Sequence, residues 1–314
     1  MNRFFAPFWN VILAAGDGTR LASLTRRLHG DDRPKQFAVL RGERSLLQET
    51  MTRQSALAPA SRTTVVVGAR HVGFAEAQLA PFAGTELVAQ PCNRGTGPGL
   101  LLPLVHVRAQ DPDALVVVSP SDHHFTHPAR FLAKVPLAAE AAAASASGVC
   151  LLAVEAESPS PELGWIVPGG PLKGCPDARR VVRFIEKPDP LLAQGLYAAG
   201  SLWNTFVMVG RARAFWTLAE RHLPQHVSLF ERYAGARGLG AAAAAETLAA
   251  LYQDLPTADF SHDVLAKAEG LAVTGVSGSG WSDWGTPQRL MESLAGTPAF
   301  SDLQRRLNRT RLAA

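Results

Sequence analysis

Asn10-Val11-Ile12-Leu13-Ala14-Ala15-Gly16-Asp17-Gly18-Thr19-Arg20, followed by Pro34-Lys35-Gln36, is the stretch that decides the fold. Residues 11–15 are a short apolar run that reads as a buried strand. The run ends at Gly16 and Gly18, where a tight turn is cheap because glycine accepts positive φ. Backbone N–H groups in such a turn can converge on an anion, since no side chain holds the anion away. Arg20 adds a permanent cation whose fork matches phosphate oxygens. Lys35 adds a second positive charge from the far side of the loop. Strand, glycine loop, Arg and Lys together read as a triphosphate cradle; alone, the same stretch is also compatible with a surface turn. Two rivals fail on spacing. A dinucleotide fingerprint needs a third glycine where Leu21 stands, and a P-loop needs Gly-Lys-Ser/Thr where the chain has Gly18-Thr19-Arg20.

The flanking sequence keeps this reading open. The 314 residues are 47% hydrophobic and 18% charged, a globular composition sufficient for a large core or a core plus a smaller lobe. The net charge of +4 has no basic block behind it, which argues against nucleic acid. Cys92, Cys150 and Cys175 are odd in number and lack CxxC spacing, so a reducing cytoplasm fits better than a disulfide framework. Arg3, Phe4, Phe5, Phe8 and Trp9 imitate a signal peptide, but Pro7 and Asn10 interrupt the run and cleavage would fall inside the glycine loop. Residues 1–8 therefore read as a short lead-in. No run approaches the length of a membrane span.

Strands are expected at 11–15, 63–67, 87–89 and 114–118, alternating with helices at 45–57, 71–79 and 128–146, the last interrupted by Pro136. The segment 90–99 reads as irregular, and an apolar helix bent near Pro103 should follow. Uniformly apolar strands alternating with helices mean a parallel sheet covered on both faces. Ligands of such sheets bind beyond the carboxyl ends of the strands. The glycine loop and the segments after Ala89 and Val118 can therefore share one crevice. In the second half, strands are expected at 149–154, 164–167, 181–185, 201–209 and 271–276, with a Gly/Pro-rich connection at 168–178. Helices are expected at 211–221, 225–233, 241–251, 260–268 and from Leu290 onward.

Four further segments can carry chemistry. Ser119-Pro120-Ser121-Asp122-His123-His124 follows a buried strand, and Asp122 stands where a carboxylate could hold Mg²⁺ against phosphates or simply cap a turn. His123, His124 and His127 invite a zinc reading but lack cysteines and HExxH spacing. Trp281-Ser282-Asp283-Trp284-Gly285 offers a second metal carboxylate, or a polar turn between packed tryptophans. In Phe184-Ile185-Glu186-Lys187-Pro188, Lys187 could pair with a phosphate and Glu186 with sugar hydroxyls, or both could mark a solvated strand end. Asn204, in Leu202-Trp203-Asn204, could bind a hydroxyl or close a turn.

Taken in order with Arg33-Pro34-Lys35-Gln36-Phe37 and Gln90-Pro91-Cys92-Asn93-Arg94-Gly95-Thr96, these motifs resemble the sugar-1-phosphate nucleotidylyltransferases, and among them the mannose-1-phosphate guanylyltransferases. The resemblance runs from about Trp9 to about Leu290. It implies an α/β, Rossmann-like (GT-A-like) fold: a mixed, mostly parallel sheet flanked by helices, with a smaller sugar-binding β-rich part. It implies one catalytic domain over 1–296, with a nucleotide half at 9–147, a sugar-phosphate half at 148–296 and a helical tail at 297–314. The implied nucleotide-binding residues are Leu13, Ala14, Ala15, Gly16, Gly18, Thr19, Arg20 and Lys35, with Gln90, Gly95 and Thr96 at the guanine. Asp122 and Asp283 would hold Mg²⁺. Gly164, Glu186 and Asn204 would contact the mannose and Lys187 its phosphate, so Arg20, Lys35 and Lys187 would be the catalytic cations.

The implied reaction joins GTP and mannose 1-phosphate into GDP-mannose and pyrophosphate, in a cytoplasmic protein that could pair as a homodimer, with no nucleic-acid or membrane partner. A sugar phosphate is already anionic, so the task is charge neutralisation and alignment, which suits a site with no Ser/His/Asp triad. The alternatives are the same chemistry with another nucleotide or hexose, or a regulatory protein that binds nucleotide sugars without turnover. Three departures stand out. Phe206 occupies the place of the family's usual glycine, which would narrow the sugar pocket or change the sugar. Leu21-Ala22-Ser23-Leu24 replaces a Pro-Leu step. Gly30-Asp31-Asp32 lies in the loop that leads to Lys35.

Overall fold

The computed structural model describes residues 8–312. Of the lead-in at 1–8, residues 1–7 lie outside the described residues and Phe8 is buried. Four strands form the first half of the sheet: β1 (Trp9–Ala14), β2 (Thr63–Gly68), β3 (Glu86–Gln90) and β4 (Leu115–Pro120). They pair in parallel in the order β3-β2-β1-β4, with Leu13 opposite both Val66 and Pro120. Val11, Ile12, Val65, Val66 and Val117 are fully buried, as expected of strands covered on both faces. Helix Leu46–Gln54 starts at a capping box in which Ser45 and Gln48 satisfy each other's backbone N–H groups.

A two-residue strand β5 (His124–Phe125) follows β4. The expected long helix splits at Pro136 into Pro128–Leu132 and Val135–Ala144, each with proline in its first turn, where the missing N–H costs nothing. The second half adds β6 (Val149–Glu155), β7 (Gly164–Leu172), β8 (Cys175–Glu186), β9 (Leu202–Arg211), β10 (Ala272–Gly275) and β11 (Trp281–Ser282). One nine-stranded sheet results, β3-β2-β1-β4-β9-β6-β10-β8-β7, in which β8 and β9 run against the others. This is the expected mixed, mostly parallel architecture. Strand β9, from the second half, lies between β4 and β6, so the sheet is continuous across both halves.

Four expectations need correction. The Gly/Pro-rich connection at 168–178 is mostly extended: β7 and β8 form one long hairpin, and Pro168 and Pro171 sit at register irregularities on the terminal strand, where a missing N–H is tolerated. The segment 90–99 is not wholly irregular, because Gln90 ends β3 and helix Thr96–Gln110 begins within it, with Gly97 and Pro98 in the first turn. The stretch between Gly18 and Lys35 holds a helix, Ala22–His29. Residues 260–268 wind more widely than an α-helix, as Phe260–Leu265, with Ala266 N–H donating to the Ser261 carbonyl at 2.9 Å.

The C-terminal helices Pro287–Leu294 and Pro298–Leu312 do not hang free. Leu290, Leu294, Leu303 and Leu307 bury themselves with Leu21, Leu40 and Trp284 in one cluster beneath the glycine loop. Among the described residues, no helix is long and apolar enough to cross a membrane.

Candidate active site

A cleft of about 350 Å³ opens at the carboxyl ends of β1, β3 and β4. It gathers Leu13, Ala14, Ala15, Gly16, Gln90, Gly95, Thr96 and Asp122 from the expected set. Gly18 is left-handed (φ 62°), and a Cβ there would stand 2.7 Å from the Lys35 backbone nitrogen, so the turn requires glycine. Gly16 is not left-handed, and its missing Cβ faces open space. A residue to which the sequence assigned no role shapes this loop. Gln36, which is buried, donates from Nε2 to the carbonyls of Ala14 (2.8 Å) and Gly16 (2.8 Å). Thr19 and Arg20 begin the short helical turn beyond it, and the exposed Arg20 lies 3.7 Å from Glu162.

Two loops close the far side of the cleft. Gly95 is left-handed (φ 88°), and a Cβ there would run into the Ala258 carbonyl. Gly97 N–H donates to that carbonyl (2.9 Å), Ala258 N–H to the Arg94 carbonyl (3.0 Å), and Phe260 N–H to Thr96 Oγ1 (2.7 Å). Gln90 Nε2 donates to the hydroxyl of the buried Tyr252 at 2.9 Å. Asp17 points away from the loop's backbone toward Arg70 and Asn93, and Asn93 in turn accepts from Gly95 N–H (2.9 Å). Burial opposes ionisation of Asp17, but the bonds from Asn93 and Arg70 prevail and hold its carboxyl below the usual range. The glycine loop and the loop after β3 are thereby clasped together.

Asp122 and Asp283 are brought together by a feature too small to read in sequence. In the two-stranded ribbon β5–β11, His124 faces Ser282 and Phe125 faces Trp281. The Lys35 side chain, only 6% exposed, fills the join. Its Nζ lies 2.9 Å from Asp122 Oδ2 and donates to the Asp283 carbonyl at 2.5 Å. Lys35 thus staples the two carboxylate segments together and is not among the residues that line the cleft. Burial opposes ionisation of Asp122, but Lys35 and His123 outweigh it and hold the carboxyl below its usual range. Asp283 is lowered in the same way against burial, by His123 and by Arg289, whose Nη1 lies 2.5 Å from Oδ1. Arg289 also reaches Glu162 at 3.1 Å, so Asp283, Arg289, Glu162 and Arg20 form a chain of alternating charge.

Two ionised carboxylates are the hard-oxygen donors that suit Mg²⁺, which keeps waters and takes substrate phosphates for its remaining positions. Among the described residues, no cluster of three or more His, Cys, Asp or Glu side chains could hold a metal. The histidine run therefore forms no zinc site: His124 stacks on Trp284 at 4.4 Å, and His123 meets Trp281 edge-on and accepts from its Nε1 at 3.2 Å.

The hairpin register sets Gly164 opposite Glu186, and the pairing of Trp165 with Trp203 lays that pair beside Asn204. A Cβ on Gly164 would stand 2.7 Å from Glu186 Oε2 and 3.3 Å from the Asn204 Cβ. Burial, with a further push from Asp259, raises the Glu186 carboxyl above its usual range despite Lys187, whose exposed Nζ lies 3.3 Å away. Among the described residues, three non-glycines are left-handed: Lys187 (φ 45°), Phe206 (φ 57°) and Trp284 (φ 41°). Each adjoins or is a candidate site residue, and each such conformation costs about 1–3 kcal/mol that the surrounding structure must offset. A larger open groove of about 1110 Å³ lies elsewhere, by Arg41, Arg53, Phe125 and Arg305. Neither the glycine loop nor either carboxylate lines it, so the smaller cleft is the candidate site.

Comparisons with known proteins agree with this geometry. The profile of the family described as nucleotidyl transferase matches residues 9–298. The xanthan biosynthesis protein XanB of Xanthomonas campestris pv. campestris (strain B100) is 34% identical over 208 residues, covering 65% of this chain and 42% of XanB. Mannose-1-phosphate guanylyltransferase 2 of Escherichia coli O157:H7 is 26% identical over 297 residues, covering 91% of this chain and 60% of that protein. This chain thus spans less than two thirds of the length of these relatives. A crystal structure described as mannose-1-phosphate geranyltransferase from Thermus thermophilus superposes with a TM-score of 0.78 at 28% identity, covering 93% of this chain and 81% of that one.

Proposed function

This chain belongs to the nucleotidyl transferase family, among the sugar-1-phosphate nucleotidylyltransferases, and from that premise we propose that it transfers GMP from GTP to mannose 1-phosphate, releasing pyrophosphate and giving GDP-mannose. The single observation that carries this reading is the junction of two sites. The cleft lined by Gly16, Gln90, Gly95, Thr96 and Asp122 is also lined by Phe206 of β9, whose N–H donates to Asn204 Oδ1 in the neighbouring Gly164–Glu186–Asn204 cluster. The choice of guanine is supported by the name of the E. coli relative, and the choice of mannose 1-phosphate by that name and the description of the T. thermophilus structure.

In this reaction an oxygen of the sugar phosphate attacks the α-phosphorus. The new P–O bond forms as the bond to the bridging oxygen breaks, and pyrophosphate leaves with that electron pair. No proton need be removed. The glycine loop, held by Gln36, presents backbone N–H groups to the triphosphate, and Arg20 and Lys187 neutralise charge at the two substrates. Glu186 and Asn204 offer short polar groups to sugar hydroxyls. Asp122 and Asp283 would hold Mg²⁺, which supplies charge neutralisation at phosphate oxygens.

The test is pyrophosphate release with Mg²⁺, crossing GTP, ATP, UTP and dTTP with mannose, glucose and fucose 1-phosphates. Release confined to GTP with mannose 1-phosphate supports the proposal, and release with another pair moves the substrate assignment. Asp283→Asn keeps an acceptor for Arg289 but removes the charge. It should lower turnover by about 10²–10³-fold while leaving GTP binding, followed by titration calorimetry, nearly intact. Undiminished turnover would remove Asp283 from the metal site.

A further inference from the structure

Of the three left-handed non-glycine residues, Phe206 is the one whose side chain lines the cleft. Its position is fixed by an irregularity in β9. Ala153 of β6 pairs with Asn204 while Leu152 pairs with Val207, so Thr205 and Phe206 bulge out of the ladder. Three hydrogen bonds hold the bulge. Thr205 Oγ1 donates to the Leu152 carbonyl (2.6 Å) and accepts from Val207 N–H (3.2 Å), and Asn204 Oδ1 accepts from Phe206 N–H (3.1 Å). The backbone bond ties Phe206 to Asn204 in the sugar cluster, while its ring shares the nucleotide cleft with Gln90, Thr96, Asp122 and Asp259. Phe206 therefore stands where the two sites meet.

Space at this junction is short. The cleft's 350 Å³, measured with the Phe206 ring in its wall, is near the lower end of the ~300–1,000 Å³ usual for ligand sites, so removing that benzyl group would enlarge it appreciably. The sugar side is also closely packed: a Cβ on Gly164 would stand 2.7 Å from Glu186 Oε2 and 3.3 Å from Asn204 Cβ and Phe184, and would displace the Glu186 carboxylate. A left-handed backbone is the natural place for glycine, and a bulky aromatic held there by dedicated hydrogen bonds needs a reason.

We propose that Phe206 is a specificity-determining residue: its ring limits the sugar 1-phosphate to a plain hexose and excludes one carrying an acylamino substituent. This rests on the reading of the site as a sugar-1-phosphate nucleotidylyltransferase.

The experiment compares kcat/KM for mannose 1-phosphate and N-acetylglucosamine 1-phosphate in wild type, Phe206→Gly and Phe206→Leu. The nucleoside triphosphate is whichever one wild type uses, so that a wrong base assignment leaves the sugar ratio readable. Phe206→Gly should relax the preference for the unsubstituted sugar by about tenfold or more, because it opens the wall and suits the left-handed backbone. Phe206→Leu, which keeps most of the bulk, should stay within about threefold of wild type, well inside the range expected for one methylene. Should Phe206→Gly melt early, Phe206→Asn, which also tolerates this backbone, takes its place. An unchanged sugar ratio in the opened variant would overturn the proposal. So would a change confined to the KM of the nucleotide. Absence of turnover with every substrate pair would overturn the underlying reading as well, and is distinguishable from either result.

Discussion

Lys35 is the residue whose removal should be felt most widely. Its ammonium is buried between Asp122 Oδ2 and the Asp283 carbonyl. In Lys35→Met the carbonyl loses its donor and the carboxylate its partner, at a cost of about 1–3 kcal/mol. The sign of the pH dependence follows from Asp122, whose carboxyl is held below its usual range in the folded protein. Such a group stabilises the fold above the ordinary carboxylate pKa of about 4, and that contribution is lost as pH falls through the lowered value. Melting temperatures of wild type and variant should therefore differ most near pH 7 and converge below about pH 4. A gap that stays constant with pH would show that the two groups do not interact. Tyr252→Phe probes the nucleotide side. It leaves Gln90 without its hydroxyl partner, and a hydrogen bond worth about 0.5–1.5 kcal/mol corresponds to a rise of about 2–10-fold in the KM for the nucleoside triphosphate. The KM for the sugar phosphate should hold, and an equal rise in both would mean that Tyr252 only supports the fold.

At the scale of elements, the glycines divide into those the backbone needs and those it does not. Gly95→Ala places a Cβ on the Ala258 carbonyl in a left-handed turn. It should cost about 1–3 kcal/mol in a denaturant titration by prising the loop after β3 from the segment at 258–260. Gly16→Ala has open space and no positive φ, so its midpoint should match wild type, and equal losses in both would undo the distinction. Sequence alone places Gly16 and Gly95 in two similar glycine-bearing loops and cannot tell which needs glycine, because φ depends on what the loop later packs against. The same limit explains what else was legible. The strands of the first half are continuous runs of β-branched and aliphatic residues buried on both faces, and such short apolar runs are legible in sequence. The β5–β11 ribbon is two residues long, below any period, yet it unites Asp122 with Asp283. The hairpin arms at 168–178 were hidden because Pro168 and Pro171 look like loop residues until the strand is known to lie at the end of the sheet. Gln36, Glu162 and Tyr252 were missed because their partners are distant in sequence, and Arg289, six residues from Asp283, because no motif marks that pair, whereas candidate residues with motif neighbours, such as Gln90 and Asp122, do meet in one cleft.

Across the whole molecule, the C-terminal helices act on the site without lining the cleft, through Arg289 on Asp283 and through apolar packing. Leu303 and Leu307 complete the cluster that seats Leu21, one residue beyond Arg20, and Trp284, one residue beyond Asp283. Polar bonds reinforce the contact: Arg27 donates to the Leu307 carbonyl at 2.9 Å, and Arg306 to the Val39 carbonyl at 2.7 Å. The helix Ala22–His29 therefore rests on the end of the chain, and the glycine loop rests on that helix. Leu303 is fully buried, so Leu303→Ala should cost about 2–5 kcal/mol through lost burial and the cavity left behind. Loosening this seat should also raise the KM for the nucleoside triphosphate, because Arg20 and the Lys35–Asp283 staple are positioned from it. Leu239→Ala, at a leucine 82% exposed, controls for the substitution itself and should change neither stability nor KM. If Leu303→Ala lowered the melting temperature yet left the KM for the nucleoside triphosphate at the wild-type value under conditions where the protein stays folded, the C-terminal helices would be support for the core alone, and the glycine loop would owe its placement to Gln36 and the clasp at Asp17.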